Sequence, residues 1–352
     1  MGKMMLSTKN IVKQTALGRF VRDKYQRRGL NSRSEAEATV KKYLGDNIEL
    51  DRLRDIVDDM LLEAKNHDFA FYEYMLYHFY DMSESERREY VSALERITFC
   101  ERMNNLKNVI IFDDKGRTYQ KFKKYYKRDL VEIPGGGIDA FEKFAEKHPR
   151  FIVKPFDGAC GHGIKIYDTF GRNVSDIYKE LKNIYKGCVA EELIVQSDET
   201  AMFHPESVNT VRITTIKYKD RIDIIYPFFR TGRGKSVVDN GGSGGIINAI
   251  DSDTGVIYGA ADEMGIHYTE HPETHVKLIG YKMPKWEEAK ALAKELAQII
   301  PDNHYCGWDL ALTNNGWVLQ EANDRGEFVG FQLPTKKGFR KELMDILNEL
   351  GV

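Results

Sequence analysis

Asp309, Glu321 and Asn323 are the side chains of this sequence best suited to hold a hard cation. In CGWDLALTNNGWVLQEAN, residues 306–323, Asp309 lies on one β-like run. Asn314, Asn315 and Gly316 then reverse the chain, and Glu321 and Asn323 follow two apart on the returning run. Side chains two apart on a strand project from one face, so the three oxygens can converge. Magnesium takes such a set, a few carboxylate or amide oxygens completed by phosphate and water. A hairpin with polar residues on its wet face explains this segment equally well on its own.

Two further constellations carry chemistry. FIVKPFDGACGHGIKIYD, residues 151–168, delivers Lys154 on a strand, turns through Gly158, Gly161 and Gly163, and leaves on a second strand. Glycines admit backbone N–H groups close to an anion, and the ammonium neutralises phosphate charge. This is not a Walker loop: GxxxxGK[ST] is absent and a strand, not a helix, follows. A plain tight hairpin is the rival reading. Cys160 and His162 stand in the turn, but no partner constellation supports a covalent role for the thiol. The third constellation is SVNTVRI (207–213) with FFRTGRGKSVVDNGGSGG (228–245). It gathers Arg212, Arg230, Arg233 and Lys235 near glycines and the pair Asp239 and Asn240. Such a segment can close over a phosphate or an acyl phosphate, and its composition suggests mobility.

The elements that must position these residues change character along the chain. Residues 1–105 read as helices. Ser34 with Glu37 reads as one helix cap, Ser83 as another, and 51–80 places apolar residues at helical spacing. The aromatic cluster Phe69, Phe71, Tyr72, Tyr74, Tyr77, Phe79 and Tyr80 reads as helical core rather than a ligand box. Beyond 107, β-like runs appear at 108–112, 150–156, 163–168, 188–196, 210–219, 221–230 and 244–251, and in GWDLALT and GWVLQEAN. Helices are expected at 116–128, 138–147, 174–185, 285–300 and 336–350. The mixture is α+β, with two sheet lobes instead of one parallel sheet.

Bulk properties bound the function. At 352 residues the chain suggests two or three lobes, and a net charge of -2 argues against nonspecific nucleic-acid or anionic-membrane binding. KKYYKR at 123–128 fits a solvated helix as well as a nucleic-acid contact. The basic N-terminal stretch reads as a solvated amphipathic helix, with contact to acidic lipid as the minor alternative. No apolar run is long enough to span a bilayer. The four scattered cysteines, with no CxxC spacing, make a reducing cytoplasm the expected compartment.

The order of these segments resembles the ATP-grasp superfamily, which contains D-alanine–D-alanine ligase, glutathione synthetase and biotin carboxylase. More narrowly, SVNTVRI, FRTGRGKSVVDNGGSGGIINAID and GWDLALTNNGWVLQEAN resemble the sugar-transfer-associated ATP-grasp family, over roughly residues 105–350. Its members are expected in bacterial cell-surface polysaccharide or related biosynthetic clusters. The resemblance implies an ATP-grasp fold: a helical region at 1–105, an N-lobe with the Gly-rich loop at 106–195, and a C-lobe with the metal-binding hairpin at 196–352. It implies ATP with two Mg2+ ions, Mn2+ being a substitute. By position, Lys115 and Lys154 resemble the phosphate-contacting lysines. Gly158, Gly161, His162 and Gly163 fall in the loop over the triphosphate. Glu191, Glu192, Leu193 and Ile194 resemble the adenine hinge, with Asp198 or Glu199 as further candidates for ribose. Asp309, Glu321 and Asn323 resemble the magnesium ligands, and Arg230 and Arg212 suit the γ-phosphate or the acyl phosphate. The implied activity is an ADP-forming carboxylate–amine ligase acting on small molecules in polysaccharide or secondary-metabolite biosynthesis. A small-molecule kinase and a silent nucleotide-binding scaffold are the alternatives, and a homodimer stays open. The departures are Cys160 and His162 in the loop and a helical rather than α/β front end, which puts acceptor recognition in doubt.

Overall fold

Ser32 caps the first described helix: its hydroxyl accepts from the Glu35 N–H at 3.2 Å, and α1 runs Arg33–Leu44. The cap therefore lies two residues before the one expected at Ser34, because Ser32 is the extended residue and Ser34 is already helical. This computed structural model describes residues 32–156 and 163–352. The basic N-terminal stretch and Gly158, Cys160, Gly161 and His162 lie outside the described residues. The chain divides into two compact units, Met1–Glu95 and Arg96–Val352.

In the first unit, α2 (Leu50–His67) buries Leu53, Ile56, Val57 and Met60 along one stripe. Phe69, Phe71, Tyr74, Tyr77 and Phe79 are buried, and Phe69 meets Phe79 edge-on with centroids 4.8 Å apart. These five are core, as expected, whereas Tyr72 is exposed and Tyr80 half-buried. Ser83 forms a capping box with Glu86, but for a single turn, Glu84–Arg87. The helix that follows, α3 (Ala93–Met103), starts six residues after Arg87.

The second unit is built on two antiparallel sheets. Helix α4 (Lys115–Tyr126) is capped by Asp114, which accepts from the Arg117 N–H, and ends at Lys127 in the left-handed region. Strand β1 (Leu130–Ile133) follows, then helix α5 (Gly137–Lys147), β2 (Arg150–Pro155), β3 (Lys165–Asp168), helix α6 (Val174–Ile184) and β4 (Cys188–Glu192). These strands form a four-stranded sheet in the order β1-β4-β2-β3. Phe141 and Phe144 of α5 and Ile177 and Leu181 of α6 close its core against Phe151 and Val153.

The larger sheet has six strands, in the order β10-β9-β5-β6-β7-β8. They are β5 (Thr210–Lys217), β6 (Ile222–Thr231), β7 (Ile246–Ile250), β8 (Ile257–Asp262), β9 (Tyr305–Thr313) and β10 (Gly316–Asn323). One face packs α4 and α7 (Trp286–Gln298) over Val211, Phe229, Trp308, Leu310, Leu319 and Ala322. Helix α8 (Val329–Thr335) packs on β6, β7 and β8, and α9 (Arg340–Leu350) ends the chain. Among the described residues no helix is long and apolar enough to cross a membrane.

Three local expectations fail for stated reasons. The run at 108–112 is helical, not a strand: Asn105 caps a 3-10 turn and Val109–Phe112 continues it up to the next cap, Asp114. Strand β1 went unread because it is four residues long and half-buried on alternate sides. Strand β8 went unread because of its small residues. They are required there: a Cβ on Gly259 would lie 2.3 Å from the Pro334 carbonyl oxygen.

Candidate functional site

Three neighbouring strands present Arg212, Asp309 and Glu321 in one cross-strand row, since Arg212 pairs with Asp309 and Asp309 with Glu321. The Asp309 carboxylate is fully buried. Arg212 grips it two-pronged, Nε to Oδ1 at 2.5 Å and Nη2 to Oδ2 at 2.7 Å, and Arg230 Nη2 donates to Oδ2 at 2.7 Å. Burial would raise the Asp309 pKa, but Arg212 and then Arg230 overcome it and hold the group below the usual carboxylate range. Arg230 also donates to Thr210 Oγ1 at 2.7 Å, and Thr210 N–H donates to the buried Asp239 at 2.9 Å. Burial leads at Asp239 and pushes its pKa up despite Arg230. Charges therefore alternate along the sheet: Arg212, Asp309, Arg230, Asp239.

Glu321 reaches Asp309 only because the hairpin is irregular. Register shifts between Leu319 and Glu321, leaving Gln320 as a bulge. Lys115 Nζ, at the start of α4, lies 3.3 Å from Glu321 Oε1. Asn323 shares that face, and its Nδ2 is buried with no hydrogen-bond partner among the described residues; a half-turn of the amide would present Oδ1 there instead.

Lys154 belongs to a second charged group. Its Nζ lies 2.9 Å from Glu191 Oε2, which also takes Arg128 Nε at 3.2 Å and Nη2 at 2.9 Å. Burial opposes ionisation of Glu191, yet Lys154 and Arg128 together lower its pKa to about 2. Arg128 then donates to the carbonyls of Leu319, at 2.6 Å, and of the bulged Gln320, at 3.4 Å. One guanidinium thus joins the lysine strand to the hairpin that carries Glu321.

The other proposed residues separate. Glu192 points away from Glu191 and accepts from the Asp129 N–H at 2.9 Å. Leu193 and Ile194 are half-buried beyond the end of β4. Asp198 and Glu199 are exposed in the first turn of Asp198–Ala201, and no hydrogen bond or ion pair among the described residues ties them to Lys154. Gly163 has φ +78, and its carbonyl accepts from Tyr185 Oη at 2.9 Å. Arg233 does not join Arg230: it binds Asp262 at 3.1 Å and Tyr268 Oη at 2.8 Å. Lys235 is exposed. The Gly-rich segment, expected to be mobile, is anchored at Gly232 and Gly234 by four side chains. Thr210, His204 and His271 escaped the sequence reading as site residues. Arg128 entered it only within the basic run KKYYKR, and Asp239 only as a polar companion of Asn240.

The model of the sugar-transfer-associated ATP-grasp family matches residues 94–348. The chain belongs to that family. No curated protein matches it in sequence. Among solved ATP-grasp structures, the ligase PsnB with minimal precursor, Mg and ADP is 13% identical. It covers 74% of this chain and 67% of its own, with a TM-score of 0.43. D-alanyl-alanine synthetase A from Vibrio cholerae is 10% identical over 70% of this chain and 67% of its own, TM-score 0.44. D-Alanine-D-alanine ligase from Helicobacter pylori is 14% identical over 70% and 64%, TM-score 0.44. No residue role transfers at these identities and scores.

An ATP-grasp site implies a nucleotide with a divalent cation, and this chain's donor set is compatible with both. Glu321 is a half-exposed carboxylate, and Asn323 has an unpartnered buried amide atom. Asp309 fits less simply: three donors already occupy its two oxygens, which leaves roughly one lone-pair direction open.

Proposed function

We propose that this chain is an ATP-dependent carboxylate–amine ligase that activates a carboxylate as an acyl phosphate and releases ADP. Its setting would be the biosynthesis of cell-surface polysaccharide or secondary metabolites. The observation that carries the reading is the row Arg212, Asp309, Glu321 beside Lys115, joined through Arg128 and Glu191 to Lys154. It sets cations and carboxylates along one line, as binding a triphosphate requires. On this reading residues 106–195 and 196–352 are the two lobes that hold ATP.

Lys115 and Lys154 hold phosphate oxygens, and the backbone of residues 192–194 meets adenine. Asp309 turns Arg212 and Arg230 onto one face, where they balance charge developing on the γ-phosphoryl group. The substrate carboxylate oxygen bonds to the γ-phosphorus as the bond to the β–γ bridging oxygen breaks, and ADP leaves. The amine nitrogen then bonds to the acyl carbon, the carbon–oxygen bond to phosphate breaks, and the nitrogen loses its proton to the departing phosphate or to water. Glu321 and Asn323 would hold the divalent cation, with Asp309 joining as an arginine gives way, and the cation would neutralise phosphate oxygens.

ADP release with a panel of carboxylates and amines, read together with product mass, tests the proposal. An amide with free phosphate is expected, and Glu321→Gln and Arg230→Met each lower turnover by roughly 100-fold or more. Phosphate retained on the product would identify a kinase and sink the ligase reading.

A further inference from the structure

His204 and His271 are both buried and play no part in the charged row. Their neighbours fix which ring nitrogen donates. His204 Nδ1 lies 3.2 Å from the Ser207 N–H, which can only donate, and Nε2 lies 3.0 Å from the Gly234 carbonyl, which can only accept. His271 repeats the pattern, with Nδ1 at 3.4 Å from the N–H groups of Glu273 and Thr274 and Nε2 at 2.9 Å from the Gly232 carbonyl. Both rings donate from Nε2 to a glycine carbonyl, and the two N–H groups facing His271 Nδ1 require that nitrogen to be bare. The same two glycines are held from the other side: Gly232 N–H donates to Asn209 Oδ1 at 3.1 Å, and Gly234 N–H to the Glu273 carboxylate at 2.8 Å. Both backbone polar groups of both glycines are taken. Gly232 lies two residues beyond Arg230, next to the end of β6.

We infer that His204 and His271 are positioning residues: their imidazoles clamp the glycine backbone after β6 and fix the strand end that carries Arg230, and protonation of His271 releases it. The link to catalysis rests on the reading of Arg230 as a phosphoryl contact, whereas the clamp itself does not. A second hydrogen on His271 Nδ1 would face the N–H groups of Glu273 and Thr274, so protonation there sets donor against donor in a buried place, whereas at His204 the Ser207 hydroxyl, 2.9 Å from Nδ1, can accept. The groups around His271 are Glu273, His204 and Arg233, the last held by Asp262 and Tyr268; the exposed pair His275 and Glu270 lies farther out. Burial lowers the His271 pKa, Glu273 and the bond to Gly232 raise it, His204 and Arg233 lower it, and the net direction is down. A histidine with a depressed folded pKa contributes stability in full above its unfolded value, about 6.5. That contribution is lost as pH falls through the folded value.

Hydrogen exchange of peptides spanning residues 228–245 in the nucleotide-free protein, corrected for intrinsic rates between pH 8 and pH 5, reads the clamp directly. Glutamine places an amide N–H where Nε2–H stands but gains no proton. Wild-type protection should fall roughly tenfold on acidification, while the H204Q/H271Q double variant stays flat. His271→Ala should lose roughly tenfold at every pH. Wild-type protection in His271→Ala at pH 7, or a wild-type acid fall in the double glutamine variant, would overturn the inference. Where turnover is measurable, the glutamine variant should shift the acid limb of kcat to lower pH with KM for ATP unchanged. An unmoved limb would overturn the positioning role. Should no ADP form with any substrate, the exchange data still decide the clamp, so its failure and that of the ligase reading are separable.

Discussion

Arg212 and Asp309 form a two-pronged ion pair across adjacent strands, and Asp309 gives its second oxygen to Arg230 as well. One buried carboxylate thus serves two guanidinium groups, and its loss would strand both.

Asp309→Asn tests this without changing shape. Breaking a buried pair by removing one partner typically costs about 3–5 kcal/mol, because the remaining charge is left uncompensated. The variant should lose that much in urea denaturation. A loss under about 1 kcal/mol would show that the arginines find other partners.

Glu191 gives a pH dependence with a definite sign. Its pKa is lowered to about 2 in the folded protein from an ordinary value of 4.5, because Lys154 and Arg128 outweigh the effect of burial. The unfolded chain therefore binds more protons between those values. The stabilisation is complete above about 4.5 and fades as pH falls toward 2. Urea midpoints measured from pH 6 downward should decline across this window, and Glu191→Gln should flatten the decline. An equally steep decline in the variant would assign it to other carboxylates.

Gly232 has no room for a side chain. An added Cβ would stand 2.2 Å from Ser207 Oγ and 2.6 Å from His204 Nδ1, and both atoms are engaged with each other. Gly232→Ala should destabilise by about 1–3 kcal/mol and loosen the segment after β6, read as a lower melting temperature and faster exchange there. Gly242→Ala is the control, since nothing lies within 4 Å of that added atom.

Much of the fold was legible because its signals are local. The strands around Lys154, Arg212, Arg230 and Asp309 are β-branched or alternating runs, and the turn at Asn314, Asn315 and Gly316 announces itself. The contacts of Arg128, Asp239 and His271 were not legible, since their partners lie 191, 29 and 39 positions away. The hairpin shows how a sound conclusion can rest on incomplete reasoning. Thr313 pairs with Gly316, so in an unbroken hairpin Asp309 would oppose Gln320 and Glu321 would turn to the core face. The bulge at Gln320 restores Glu321 to the side of Asp309, and no residue type announced it.

Two deletions separate these faces. Removing Gln320 takes out the extra residue and leaves Glu321 opposite Asp309, so folding and cation binding should survive, Mn2+ affinity changing less than about threefold. Removing Ala322 puts the next residues out of phase and should abolish cation binding, with a large loss of stability. Paramagnetic titration with Mn2+ and a non-hydrolysable nucleotide would read both, and equal behaviour of the two deletions would contradict the register.

Arg128 sits where the two sheets come nearest to sharing a side chain, donating to Glu191 on one and to Leu319 and Gln320 on the other. Any breathing motion between the sheets has to turn about this guanidinium or tear it loose. A change in spacing between the sheets therefore registers first in the Arg128 bonds to Leu319 and Gln320.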